Sequence, residues 1–239
     1  MLRREKKTGL KKRKPIRVSA VVVAAGASRR MGQDKLALRF CGDTVIGHTL
    51  RAFQDSPDVD ELVLVVREGG EKPVLEAASG CNKVTRIVHG GATRTESALR
   101  GVMACDSGTE IILIHDGARP LVSEAVIRGA VAGARQFSAA VPVTPVTDTV
   151  KVGRDGFAAE TPPREELFAA QTPQAFRSEL IKAALQDAVD HQLTLTDDCA
   201  AVERLGMRVK LVEGDVRNRK ITYPSDLPLA EVLWKELHP

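Results

Sequence analysis

The chain has 239 residues, 43% of them hydrophobic, and only eight aromatic side chains against abundant Ala, Val and Leu; this suits one large α/β core in which helices cover both faces of a sheet. Its formal net charge of +4 is local, because residues 1–17 hold nine of the 35 basic side chains and only Glu5 of the 31 acids, leaving a body of 26 against 30 with no evident basic groove for nucleic acid. The four cysteines, Cys41, Cys81, Cys105 and Cys199, lack C-x-x-C spacing, so neither a disulfide framework nor a zinc knuckle is expected, and a reducing cytoplasm fits.

Residues 1–17 carry like charge and no apolar periodicity, and a disordered, solvated basic tail is expected there; the rival is an arm for nucleic acid or a membrane surface. The basic start is similar to that of a signal peptide. The apolar run behind it, Val18 to Ala25, is too short for one and ends in a glycine turn, and no stretch approaches the roughly 20 apolar residues of a membrane span.

From Val18 onward strands and helices alternate. Val18 to Ala24 reads as a buried parallel strand, and further strands are expected at Glu61 to Arg67, Lys83 to Val88, Glu110 to His115, Ser138 to Val143 and Val209 to Glu213. Thr44, Thr93, Ser123 and Ser178 can cap helices running to about Gln54, Ala104, Gln136 and Val189. A final amphipathic helix with Trp234 is expected over Leu229 to Leu237. The rhythm breaks at Val146 to Pro163, where T-D-T-V-K-V and the turn G-R-D-G suggest a hairpin projecting from the sheet. The pattern predicts a Rossmann-like three-layer α/β sandwich with a mostly parallel sheet and a β-arm, in one domain over 18–239.

Ligands of such sheets bind beyond the carboxyl ends of the strands, and the loops there are chemically loaded. After the first strand comes A-A-G-A-S-R-R-M-G-Q-D-K, residues 24–35. Small residues let backbone approach a polyphosphate, and Arg30 and Lys35 can hold its charge. The glycines of a dinucleotide turn and the G-K-S/T of a Walker loop are both missing. After the fourth expected strand, His115-Asp116-Gly117-Ala118-Arg119-Pro120 sets a carboxylate beside a guanidinium on a tight turn; this can bind ribose hydroxyls, a phosphate or a metal ion, or simply close the turn. His48, His89, His191 and His238 show no metal spacing and read as packing or surface residues, and His115 reads as a strand-end residue.

The first loop resembles the A-A-G-x-G/S-x-R-M...K signature of sugar-phosphate nucleotidyltransferases. H-D-G-A-R-P closely resembles the H-D-A-A-R-P of the 2-C-methyl-D-erythritol 4-phosphate cytidylyltransferase family, and further blocks follow in the family's order: G-G-A-T-R-T-E-S (90–97), T-D-T-V-K (147–151), Arg164 before Q-T-P-Q-A-F (171–176), L-T-D-D (195–198) and G-D-V-R-N-R-K-I-T (214–222). The likeness runs from about Ser19 to Glu231. Lys35 comes after a shorter approach that lacks the usual preceding proline, and Gly117 stands for alanine.

The resemblance implies transfer of CMP from CTP to methylerythritol phosphate. Arg30 and Lys35 would stabilise charge on the α-phosphate and leaving group, and Arg164 and Lys220 would place the acceptor phosphate. Ala24, Ala25, Gly26, Gly91, Ser97, Asp116 and Arg119 would hold the nucleotide. Asp116, Thr149, Thr172, Thr196 and Thr222 would contact the polyol phosphate. Mg²⁺ would be held mainly by substrate and water, with no firm protein ligand, and a homodimer would form through the arm, carrying Arg164 into the partner's site. Alternatives are a cytidylyltransferase for ribitol 5-phosphate or a molybdenum cofactor precursor, and, from another class, a nucleic-acid-binding module using the basic tail. A site of Arg, Lys and Thr without a Ser-His-Asp or Cys-His set suits phosphate displacement, in which positioning and charge do most of the catalysis.

Overall fold

The computed structural model describes residues 17–26, 31–32 and 34–238; Arg30 and residues 1–16 of the expected tail lie outside them. Strand β1 (Val18–Ala24) is followed by the short ribbon β2 (Arg39–Phe40) and β3 (Asp43–Thr44), then α1 (Val45–Asp55), β4 (Glu61–Val66), α2 (Lys72–Ala78), β5 (Val84–His89), α3 (Arg94–Met103), β6 (Ile111–Asp116) and α4 (Glu124–Phe137). Beyond these come β7 (Ala139–Pro145), the arm strands β8 (Val152–Arg154) and β9 (Phe157–Glu160), a 3₁₀ turn at Arg164–Glu166, β10 (Phe168–Ala170), β11 (Gln174–Arg177), α5 (Ser178–Asp190), α6 (Asp198–Arg204), β12 (Lys210–Glu213) and α7 (Asp226–Leu237).

The main sheet runs β10-β7-β11-β6-β1-β4-β5, with β12 also paired to β7. The pairs β1–β4, β1–β6, β4–β5 and β7–β12 are parallel, as the apolar strands predicted. β11 departs from that pattern, running antiparallel between β6 and β7. β10 and β11 belong to one antiparallel run beside β7: Ala170 pairs with Val143 and Ala175 with Ala140, and the residues between them, with a cis Thr172–Pro173 bond, bulge outward. Those bulged residues are the Q-T-P-Q block.

Alternation along the strands builds a core on each face. Val18, Ala20 and Val22 point toward α1 and α4 with Ile46, Leu50, Phe53 and Ile127, whereas Val21, Val63, Val65, Ile112 and Ile114 meet α3, α5 and α6. A third cluster docks α7 on α1 and the β2–β3 ribbon. In it His48 sits between Phe40 and Trp234, with ring centroids 4.4 and 3.9 Å away.

Three helix caps fall where the sequence places them: Thr44, Thr93 and Ser123 each accept a backbone N–H from the first turn. Ser178 differs. It is the first residue of α5, its hydroxyl is buried without a partner, and Arg177 occupies the cap position. The arm is a separate two-stranded ribbon turned by Asp155 and Gly156, both at positive φ, as a tight two-residue hairpin requires.

Helix α3 lies close on the sheet because Gly101 leaves room for it: a Cβ there would overlap Val21 and come within 2.6 Å of Val65 Cγ2. Gly101→Val is therefore expected to cost about 1–3 kcal/mol through overpacking, read as a fall of several degrees in thermal midpoint. An unchanged midpoint would show that α3 can shift away freely.

Candidate active site

The cavity lies at the carboxyl ends of β1, β5 and β6, where the parallel strands release their loops. It has a volume of about 310 Å³, and its lining includes Ala24, Ala25, Gly26, Lys35, Gly91, Ser97, Asp116 and Lys220. These eight were expected from sequence, drawn from four separate stretches of the chain.

On one side, the turn from β5 into α3 is shaped by its own side chains. Ser97 Oγ accepts from Gly91 N–H at 3.1 Å and donates to Thr93 O at 2.8 Å, Glu96 accepts from Ala92 N–H at 2.8 Å, and Arg100 donates to Gly90 O at 2.8 Å. Gly90 is needed for this turn to approach the first loop, since a Cβ would stand 2.6 Å from Ala25 Cβ and 2.7 Å from Ser97 Oγ.

At the centre is Asp116, the last residue of β6 and 8% exposed. Lys220 Nζ is 2.9 Å from its Oδ2, Arg119 Nε 3.4 Å from the same oxygen, and Arg94 Nη2 3.7 Å from Oδ1. Burial alone would raise this carboxyl, but Lys220, Arg94 and Arg119 overcome it and hold the group well below the usual carboxylate range. Lys35 donates to Ile221 O at 3.0 Å and so ties the first loop to the Lys220 segment. Thr222 and Tyr223 give their N–H groups to Asp226 Oδ2, at 2.7 and 2.8 Å, joining that segment to the start of α7.

Beneath Asp116 the bulge between β10 and β11 acts as a bracket. Thr172 Oγ1 accepts from Asp116 N–H at 3.1 Å and lies 2.9 Å from His115 Nδ1, while His115 Nε2 lies 3.2 Å from Arg119 O. Burial drives the His115 pKa down to about 3, so the ring is neutral, accepts from Thr172 at Nδ1 and donates to Arg119 O. Thr172, 4% exposed, has its hydroxyl engaged within the protein, which makes it a support for Asp116 rather than an open substrate contact. Asn218 Nδ2 donates to Thr172 O at 2.8 Å, and Asn218 O accepts from Arg119 Nη1 at 2.8 Å. Gln171 Nε2 donates to Asp215 O at 2.9 Å, closing the bracket on the segment that carries Lys220.

The neutral His115 has a stability signature. Its folded pKa lies below its unfolded value near 6.5, so the unfolded chain binds one more proton between about pH 6.5 and 3, and stability falls as pH drops through that window. His48, also lowered by burial, adds a slope of the same sign. Thermal midpoints from pH 7 to 4 should decline, and His115→Gln should flatten part of that decline; an equal slope in the variant would place a proton on His115 in the folded state.

The other expected residues sit apart from this cavity within the single chain. Thr149 is exposed on the arm and Thr196 is exposed just before α6. Arg164 is exposed at the arm's base, where Nη1 donates to Thr147 O at 3.2 Å. His115, Gln171, Gln174, Asn218 and Asp198 received no individual role from the sequence, although Q-T-P-Q, T-D-D and N-x-K signalled their neighbourhoods. Among the described residues no group of three or more His, Cys, Asp and Glu side chains could hold a metal ion, and no helix is long and apolar enough to cross a membrane.

Comparison with known proteins converges on one family. The family model described as IspD, 2-C-methyl-D-erythritol 4-phosphate cytidylyltransferase, matches residues 18–236. A protein of that name from Dehalococcoides mccartyi is 44% identical over 225 residues, covering 92% of this chain and 97% of its own, and one from Geobacter metallireducens is 44% identical over 232 residues, covering 93% and 99%. Among solved structures, the 4-diphosphocytidyl-2C-methyl-D-erythritol synthase of Anaerococcus prevotii superposes with a TM-score of 0.84 at 30% identity over 92% of this chain and 99% of its own. The 2-C-methyl-D-erythritol 4-phosphate cytidylyltransferase of Thermus thermophilus gives 0.77 at 34% identity, over 92% and 100%.

Proposed function

The chain belongs to the 2-C-methyl-D-erythritol 4-phosphate cytidylyltransferase family, and from that premise we propose how its cavity performs the transfer. The enzyme moves CMP from CTP to 2-C-methyl-D-erythritol 4-phosphate, giving 4-diphosphocytidyl-2-C-methyl-D-erythritol and pyrophosphate in non-mevalonate isoprenoid precursor biosynthesis.

The observation that carries the reading of the site is Lys220, Arg119 and Arg94 gathered on Asp116, with Lys35 bound to the adjacent Ile221. An acceptor phosphate oxygen attacks the α-phosphorus of CTP, a new P–O bond forms, and the bond to the β-phosphate oxygen breaks to release pyrophosphate. Both reactants are anions, so repulsion is the first obstacle, and the attacking phosphate needs no strong base to remove a proton. Lys35, with Arg30, stabilises charge on the α-phosphate and the departing pyrophosphate, while Lys220 orients the acceptor phosphate. Ala24, Ala25, Gly26 and Gly91 offer close backbone approach to the nucleotide. Ser97 Oγ, whose proton goes to Thr93 O, keeps accepting capacity for the amino group of cytosine. Asp116 is suited to hydroxyl groups of ribose or of the polyol, supported by Arg119 and Thr172, and Thr222 stands beside Lys220 on the acceptor side.

Mg²⁺ would enter on the triphosphate, held chiefly by phosphate and water, and Asp116 is the carboxylate of the cavity lining that would meet it. When bound it neutralises charge on the phosphate oxygens. The exposed arm, with Phe157 at its turn 79% exposed, suits a homodimer in which Arg164, Thr149 and Thr196 act at the acceptor end of a site completed by the second copy. A cytoplasmic location is part of the same proposal.

Pyrophosphate release from CTP and Mg²⁺ with a panel of methylerythritol phosphate, ribitol 5-phosphate and a molybdenum cofactor precursor tests the reading. Turnover should be confined to methylerythritol phosphate and stop when the metal is chelated. Preference for ribitol phosphate would overturn the acceptor assignment, and unaltered turnover after chelation would remove Mg²⁺ from the scheme.

A further inference from the structure

Arg94 breaks a local rule. It is the first residue of α3, where the helix dipole disfavours a cation, yet its guanidinium is drawn into the protein beside the nucleotide end of the cavity. Two carboxylates hold it there. Nη1 and Nη2 form a paired contact with Asp198 Oδ1 and Oδ2, both at 2.8 Å, and Nη2 lies 3.7 Å from Asp116 Oδ1.

Asp198 is anchored as firmly as its partner. It opens α6, its side chain is 1% exposed, and its N–H and that of Cys199 both donate to Gln174 Oε1 at 3.0 Å. Gln174 Nε2 in turn donates to Asp197 Oδ2 at 2.8 Å. The segment so fixed includes Thr196, on the acceptor side of the proposed reaction. The ion pair therefore joins the turn that carries Gly91 and Ser97 to the turn that carries Thr196, across 104 positions of sequence.

We infer that the Arg94–Asp198 pair is a strut setting the distance between the nucleotide-holding turn and the acceptor-side turn, so that Arg94 is a positioning residue rather than a ligand of phosphate. Asp198 occupies the planar fork with which an arginine would grip a phosphate. Asp116 faces the remaining edge, and the phosphate-facing charge is left to Lys35 and Lys220. The strut works in both directions: loosening either end displaces the opposite turn.

The inference rests on the cytidylyl-transfer reading, and a crossed kinetic experiment separates the two. Wild-type turnover with CTP and methylerythritol phosphate tests the reaction; Arg94→Lys and Asp198→Asn test the strut. Lysine keeps the charge but loses the fork, and asparagine keeps the shape but loses the charge. Each variant should impair the substrate on the far side. Asp198→Asn should raise KM for CTP on the order of fivefold to tenfold, although Asp198 lies outside the cavity lining, and Arg94→Lys should raise KM for methylerythritol phosphate by a similar factor. The double variant should raise neither KM beyond the larger value found for that substrate in the single variants, because both substitutions break the same connection.

For a third arm, Arg94→Ala is assayed with millimolar guanidinium, using potassium at equal ionic strength as control; guanidinium should restore activity several-fold. KM changes confined to the near-side substrate, or a lower thermal midpoint with unchanged KM values, would overturn the inference. If Arg94→Ala does not fold, the crossed KM values of the two conservative variants decide alone.

Discussion

Lys220→Ala is expected to lower kcat for pyrophosphate release by on the order of 10²- to 10³-fold, with Lys35→Ala close behind, because in the proposed mechanism each supplies a fixed charge to developing phosphate charge. The two losses differ in kind. Lys220 contacts Asp116 directly at 2.9 Å, so its removal takes one cation from the acceptor phosphate and leaves Asp116 to Arg119 and Arg94. Lys35 is also the donor to Ile221 O, so its removal loosens the segment that carries Lys220. Lys35→Ala should therefore raise KM for the acceptor as well as lower kcat, and the double variant should lose less than the product of the single losses. Thermal midpoints should move little in Lys220→Ala, because its side chain is 37% exposed and Asp116 keeps two partners. Near-normal kcat in Lys220→Ala, measured by pyrophosphate release under saturating substrates, would remove this lysine from the chemistry.

A chain confined to the monomer by shortening the arm between Val150 and Thr161 should fold with an unaltered core and show no measurable turnover. The arm strands pair only with each other and not with the main sheet, so their loss costs the core little. In the proposed homodimer, what is lost is the second copy's Arg164. Mixing separates this from simple damage. Arg164→Ala and Lys220→Ala are each nearly inactive, but after subunit exchange a mixed dimer has one site with both residues intact. An equal mixture should then recover about a quarter of wild-type activity, the share expected from random pairing of two-fold dimers. Full activity in a proven monomer, or no recovery on mixing, would return Arg164 to its own chain's site or exclude it altogether.

Much of the fold was legible because its signals are local. The apolar runs at Val18, Glu61 and Ile111 read as buried strands and are strands, and Thr44, Thr93 and Ser123 cap helices because each offers a short hydroxyl before an apolar-periodic stretch. β11 was not legible. It has only four residues, Q-A-F-R, and its antiparallel place between β6 and β7 comes from long-range pairing that no periodicity encodes. α6 was hidden for a related reason: its seven residues start from Asp197 and Gln174, and the second of these caps arrives from another element.

The site divides the same way. Charged and small residues in motifs pointed to the cavity, whereas the groups that hold them still, His115, Gln171 and Asn218, look like ordinary polar residues until the bulge brings them together. A buried histidine bonded on both nitrogens leaves no trace in spacing.

The pairing of Phe168 with Pro145, reinforced by Val146 N–H donating to Leu167 O at 3.1 Å, closes the base of the arm like a clasp. A change in the arm's turn is expected to stop at that clasp and to leave Thr172 and Asp116 in place. In the proposed dimer the arm's tip at Asp155 and Gly156 can therefore vary, whereas Arg164 at its base and the groups around Asp116 have to keep their places.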